Sequence, residues 1–364
     1  MPRIPQTLRI TCAVFLTSAT SAIAQDSLSK TEIAACEQLI TKAMKAKAIP
    51  GLSVAIGRNH SIAWTRGFGF ADIENQVPAT ANTVYRLASI SKPMTAVAAM
   101  QLVEKGKLNL DAAVQTYVPN FPKKRFKLSA RNLLSHQGGI RHYKGNEIGS
   151  TRHYRTVTSA LKIFAAEPLI HAPGNAFSYT TYGYNLLGAA VVGASNTGFV
   201  SYLKANIFDP AGMTKTREDS VARIIPHRAQ GYRLNKLTGQ ILNSRIVDTS
   251  NKIPGGGLCG TPADLVRFCH ALGTGKLLKS KTLDQMWTPA RTTDGKRLPY
   301  GLGFRITKAD KPRIVGHSGG QPRVSTMMLF RPDENIVVAL MSNLESAGLH
   351  PLALELSGLV LQSK

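Results

Sequence analysis

Apolar residues recur at helical spacing over residues 31–48, where Ile33, Cys36, Leu39 and Ile40 form one stripe and Pro50-Gly51 ends it. The next runs, LSVAIGRN and SIAWTRGFGFAD, read as two strands with a turn at Gly57–His60. SKPMTAVAAMQLVEKG predicts a helix dense in Ala, Met and Leu, with Gly106 as its C-cap. Residues 107–250 alternate short helices with loops. In TPADLVRFCHAL the helix start is explicit: Thr261 caps it, Pro262 sits at N1 and Asp264 at N3. Strands are predicted in YGLGFRI, RIVGHSGG, STMMLF and NIVVALMSN, and HPLALELSGLVLQ closes the chain as a helix.

Short turns such as RPDEN join the closing strands, so these should be antiparallel. The order of elements predicts an α/β (α+β) fold. A central antiparallel sheet flanked by helices is built from both chain ends, and a mainly helical lobe is inserted between them. One domain is expected over 25–364, with sheet regions at roughly 25–90 and 250–364 and the lobe at roughly 91–249.

With 364 residues, 43% of them hydrophobic, the chain can bury a large core. Charged residues make up 18% and no repeat is visible, which excludes disordered and fibrous classes. The first residues change the picture. Arg3 and Arg9, an apolar stretch and then Ala22-Ile23-Ala24 read as a signal peptide over 1–24. That stretch is too short and too rich in Ser and Thr to span a bilayer. The mature protein is then expected in a periplasm or outside the cell, with no transmembrane segment. The net charge is +24, and removing Arg3 and Arg9 leaves +22. For an exported chain this excess points away from nucleic acid and toward a solvated basic surface or anionic cell-wall and lipid neighbours. Cys36, Cys259 and Cys269 remain after cleavage, so at most one internal disulfide can form. None of them has metal-ligand spacing.

Two serines compete as nucleophile. Gly316-His317-Ser318-Gly319-Gly320 fits G-x-S-x-G, but that motif needs strand, sharp turn and helix. Here QPRVSTMMLF follows and reads as a strand, and only 46 residues remain after Ser318. The second candidate is S-x-x-K in Ser89-Ile90-Ser91-Lys92. At a helix start, residues three apart share a face, so Ser89 Oγ and the Lys92 amine should meet. A serine needs a neighbouring base, and a desolvated lysine can serve as one.

The chain resembles the serine β-lactamase and penicillin-binding-protein superfamily, in its class C β-lactamase and D,D-peptidase branch. RLASISK, then PGNAFSYTTYGYNLLG at 173–188, then VGHSGG are similar to the three family motifs in order. LLSHQGGI, GGGLCGTPADLVRF and RPDENIVVALMSN are lesser matches. SHQGGIRHY and YTTYGY are most similar to the subgroup that includes the mitochondrial β-lactamase-like protein.

The resemblance implies that Ser89 is acylated, that Lys92 accepts its proton and that Tyr179 relays the proton to the leaving group. Backbone N–H groups of Ser89 and Gly320 would form the oxyanion hole. His317, Gly319, Gly320 and Thr181 would line the substrate, with Ser318 facing away. Thr181 stands where the family has Asn, and His317 where β-lactamases have Lys. Both departures argue against an efficient β-lactamase. Tyr182 and Tyr184 are expected to pack, His136 to bond a loop, and Arg141, His142 and Tyr143 to line the entrance.

The expected function is acyl transfer on a small peptide, amide or ester, cell-wall peptide among them, without metal or organic cofactor. A wall-peptide-binding module without turnover and an esterase using Ser318 are the alternatives.

Overall fold

The computed structural model describes residues 27–362, so the predicted signal peptide at 1–24 lies outside the described residues. Asn59 and His60, at φ 49° and 67°, close a two-residue turn between β1 (Gly51–Arg58) and β2 (Ser61–Asp72). Short turns likewise join β5 (Ile314–Gln321), β6 (Val324–Arg331) and β7 (Ile336–Ser342). With β3 (Val77–Pro78) and β4 (Arg305–Lys308) these strands make one antiparallel sheet in the order β3-β2-β1-β7-β6-β5-β4. Leu52 of β1 lies opposite Ser342 of β7, so the first long strand pairs with the last and the sheet joins both chain ends.

Every residue of β1 and β7 is buried, because helices cover both faces. On one face lie α1 (Lys30–Lys47) and, at the end of the chain, a helix at His350–Gln362. Their side chains Cys36, Ile40, Leu356 and Val360 pack on Val54, Ile56, Val338 and Leu340. The buried Glu32–Arg58 ion pair ties α1 to β1, and Arg58 also donates to the Val360 carbonyl at 3.0 Å. The opposite face carries α2 (Ser91–Glu104), α3 (Thr181–Ser195) and α4 (Pro262–Gly273) within a larger core. Thr261 caps α4 through the Asp264 N–H, as its sequence implies. Cys36, Cys259 and Cys269 are buried free thiols. Among the described residues no single helix is long and apolar enough to cross a membrane.

The structure departs from the sequence pattern in two places. The strand expected from Tyr300 begins at Arg305, because Gly303 takes φ 92° and breaks the extended run. Tyr300 instead turns inward and is fully buried. The inserted region also holds strands. Arg217–Glu218 and Tyr85–Arg86 flank Leu258–Gly260 in a small sheet, and Tyr232–Leu234 pairs with Ile241–Asn243. Pieces of two or three residues are too short to show a period.

Small residues bring α3 against the segment Ile253–Gly256. A Cβ on Gly188 would lie 2.3 Å from Pro254 Cγ, and one on Gly255 would lie 2.5 Å from Thr181 Cγ2. In an open helix Gly→Ala stabilises by about 1 kcal/mol. Gly188→Ala should instead destabilise the protein by about 1–3 kcal/mol through overpacking against the rigid proline ring. Urea unfolding checks the sign, and a stabilised variant would refute this packing.

Candidate active site

The turn Ala88–Ile90 leads directly into α2, with Ala88 held at φ 48°. Ser89 is partly exposed while its neighbours are buried. One helical turn later, Lys92 places Nζ 3.0 Å from Ser89 Oγ, the meeting that the S-x-x-K spacing implies. The amine also reaches Thr181 Oγ1 at 3.2 Å and the Gly255 carbonyl at 2.7 Å. Lys92 is fully buried, and all three partners are neutral. Burial, followed by repulsion from Lys252 and Arg305, pushes its ammonium well below the ordinary lysine range. A neutral amine has a lone pair to offer the Ser89 hydroxyl.

Tyr179 lies over this pair. Its ring centroid is 4.8 Å from Lys92 Nζ and 4.3 Å from the His136 ring. Burial raises the phenol to about 12, opposed by a hydrogen bond with Ser89 and by the charge of Arg305. At neutral pH Tyr179 therefore carries its proton. Arg305 Cζ stands 5.6 Å from the Tyr179 ring, on an exposed side chain at the start of β4.

The motif of β5 forms the facing wall. His317 pairs across the sheet with Met328, on the α2 side, and Ser318 with Met327, on the side of the terminal helices. Ser318 therefore points to the opposite face from Lys92, and its hydroxyl is not part of this cluster. A Cβ on Gly319 would lie 2.6 Å from the Leu87 carbonyl and 3.0 Å from Ala88 Cβ. Only glycine lets this strand reach the turn that carries Ser89. A Cβ on Gly320 meets nothing within 4 Å. The two-residue turn at Pro322 and Arg323 makes Gln321 and Val324 a hydrogen-bonded pair, so alternation aims the Gly320 N–H away from β6.

His317 is buried, with Nδ1 2.6 Å from the Ser318 carbonyl and Nε2 3.0 Å from Tyr300 Oη. A carbonyl can only accept, so Nδ1 carries the proton and Nε2 accepts from the phenol. Burial, then Lys92 and Arg305, hold the ring well below the ordinary histidine range. His317 is thus a neutral member of the wall, and the exposed cation here is Arg305.

Thr181 opens α3 and is 2% exposed, with its hydroxyl engaged by Lys92. Tyr182 and Tyr184 are fully buried, donating to Glu147 and to the Leu134 carbonyl. His136 accepts from the Thr180 N–H at 3.1 Å and stands among the rings of Tyr179, Tyr184 and Tyr300. Arg141 does not line an entrance: it is 7% exposed and clamped by Glu147 and Glu167. His142 accepts from the Thr181 N–H at 3.4 Å. Sequence reasoning missed Arg305, Tyr300 and Lys252, which carry no local motif, and gave no role to Gly255, the first residue of GGGLCGTPADLVRF.

The buried histidines set a pH limit. His142 and His270 are lowered to about 4, mainly by burial, and His136 and His317 lie well below the ordinary range. The unfolded chain takes up protons near 6.5 while the folded one does not. Stability is therefore full above about pH 6.5 and falls as pH drops toward about 4. Thermal unfolding between pH 8 and 4 should show this fall, with a shallower slope in His142→Gln. An equal slope in that variant would refute the assignment.

A profile of the family described as "Beta-lactamase" matches residues 36–361. The mitochondrial serine beta-lactamase-like protein LACTB of Homo sapiens is 28% identical, over 85% of this chain and 76% of its own. Penicillin-binding protein 4* of Bacillus subtilis is 29% identical, over 80% of this chain and 68% of its own. The octameric penicillin-binding protein homologue from Pyrococcus abyssi superposes with a TM-score of 0.78 at 25% identity, covering 91% of this chain and 77% of that one. The protein belongs to the beta-lactamase family and is a serine hydrolase of that fold.

Proposed function

We propose that the protein transfers acyl groups of small peptides, amides or esters through Ser89. The observation that carries this reading is the 3.0 Å contact between Ser89 Oγ and a fully buried lysine that has no carboxylate partner among the described residues. Neutral Lys92 takes the hydroxyl proton as Oγ attacks the carbonyl carbon. The N–H groups of Ser89 and Gly320 hold the developing oxyanion. The proton then passes from Lys92 through Tyr179 to the leaving amine or alkoxide, and the C–N or C–O bond breaks. Water repeats the sequence on the acyl-enzyme, releasing the acid and restoring Ser89.

Arg305 is the cation placed for a substrate carboxylate, beside Tyr179 and His317. Thr181 offers no side-chain amide to the acyl group, which supports weak β-lactam turnover at most. Cell-wall peptides fit these requirements and an exported enzyme. We place the mature N-terminus at Gln25, after signal cleavage. Intact mass of the secreted or periplasmic protein checks this, and a retained segment 1–24 would overturn it.

The central test is peptide mass spectrometry after a fluorophosphonate and, separately, a penicillin. Label should fall on Ser89, vanish in Ser89→Ala and persist in Ser318→Ala. Tyr179→Phe should slow penicillin acylation by about 10²–10⁴-fold. Arg305→Gln should leave fluorophosphonate labelling intact and slow acylation by the carboxylate-bearing penicillin about tenfold or more. Label on Ser318, or undiminished label in Ser89→Ala, would reject the mechanism. A penicillin adduct that never turns over, with no ester or peptide hydrolysed, would leave a binding module.

A further inference from the structure

A second cavity, of about 150 Å³, opens beside the small sheet at Tyr85–Arg86. None of Ser89, Lys92, Tyr179 or His317 lines it. Its walls include Arg86, Arg228 and Arg323, and among the described residues no acidic side chain lines it. Asp219 lies behind, 2.7 Å from Arg86 Nε and 3.4 Å from Arg228 Nη2. Glu345 touches only the backbone N–H of Arg323, at 3.2 Å, and also accepts from Ser244. Three guanidinium groups thus meet one paired carboxylate, an excess of two positive charges.

The three arginines are held in different ways. Arg86 is pinned, donating to the Val247 carbonyl at 3.0 Å and the Pro322 carbonyl at 3.3 Å. Arg228 donates to the Ser220 carbonyl at 2.6 Å, and its Nε is buried without a partner. Arg323 uses one Nη on Gln230. Burial and the charges of Arg86 and Arg228 lower its guanidinium from the ordinary range, yet arginine does not lose its proton. Crowded cations that cannot neutralise themselves are stabilised by an anion. The mouth is apolar: Val221 is 45% and Ile246 70% exposed.

We propose that this cavity binds a phosphoryl dianion, as a soluble phosphate monoester or the phosphomonoester headgroup of a lipid, between Arg228 and Arg323. Two negative charges match the excess, and the guanidinium forks match phosphoryl oxygens in pairs. The apolar rim accommodates a hydrocarbon attached to the phosphate. The site lies outside the acyl-transfer machinery, although Arg86 precedes Ser89 by three residues and Arg323 follows Gly320 by three.

Calorimetric titration of the mature protein with inorganic phosphate, against chloride at equal ionic strength, tests the proposal. One saturable site is expected, weakened about tenfold or more in Arg228→Gln and in Arg323→Gln. Val221→Glu, on the exposed rim, should weaken it similarly without touching the arginines. Circular dichroism and fluorophosphonate labelling report that each variant is folded. Absence of saturable binding, or equal affinity in the three variants, would overturn the proposal. Sedimentation with phosphatidic acid against phosphatidylcholine vesicles identifies the source. Anionic-vesicle binding that weakens in the same variants assigns a lipid headgroup, and phosphate binding without it assigns a soluble phosphate ester.

Discussion

An amine without a counter-charge, buried at Lys92, is the constraint on which the site depends. Keeping an isolated ammonium out of water costs several kcal/mol, so burial pushes the group toward its neutral form while it retains hydrogen bonds to neutral oxygens. Those oxygens come from three separate pieces of chain: the turn at Ser89, the first residue of α3 at Thr181, and the short helical segment Ile253–Gly256 at Gly255. None is local to another, so the tertiary packing must bring them within about 3 Å. Gly188 and Gly255 meet that demand, since each stands where a Cβ would collide with the opposing segment.

The same low-polarity surroundings govern the other bases. His136, His142 and His317 are all held below the ordinary histidine range, with burial the leading cause and Lys92 the next. Protonating any of them would put a buried cation against that amine. The cleft therefore keeps its fixed positive charge at its margin, on the exposed side chain of Arg305. This arrangement separates two tasks that a single strand lysine would combine: a neutral wall at His317 and a cation beside it.

Period and turn chemistry made the long elements legible. The β1–β2 hairpin, the closing strands, the capped helix at Thr261 and the sheet joining both chain ends all follow from patterns several residues long. The S-x-x-K contact was legible because it spans one helical turn. Tyr300 was misread because apolar alternation in YGLGFRI does not reveal that Gly303 adopts a left-handed backbone. Arg141 was misread because no local pattern encodes the approach of its partners, Glu147 on a short 3-10 turn and Glu167 on a loop. Arg305 joins the site purely through the fold, and the match GGGLCGTPADLVRF does not reveal that the Gly255 carbonyl meets Lys92. The short strands at Arg217–Glu218 and Tyr232–Leu234 fall below any detectable period.

The G-x-S-x-G match shows why spacing alone misleads. On a strand, neighbouring side chains point to opposite faces, so His317 and Ser318 cannot both face Lys92. The glycines serve the backbone instead. Thr326 Oγ1 donates to the Leu87 carbonyl at 3.0 Å, and bare Gly319 lets β5 lie against the same carbonyl. Arg86 ties the chain just before Ser89 to the Pro322 carbonyl, just beyond Gly320. The gap between the proposed oxyanion donors is thereby held from both sides by side chains bonded to backbone carbonyls. A motif that in another fold would present a nucleophile here holds one wall of the cleft so close to the Ser89 turn that only a bare glycine fits between them.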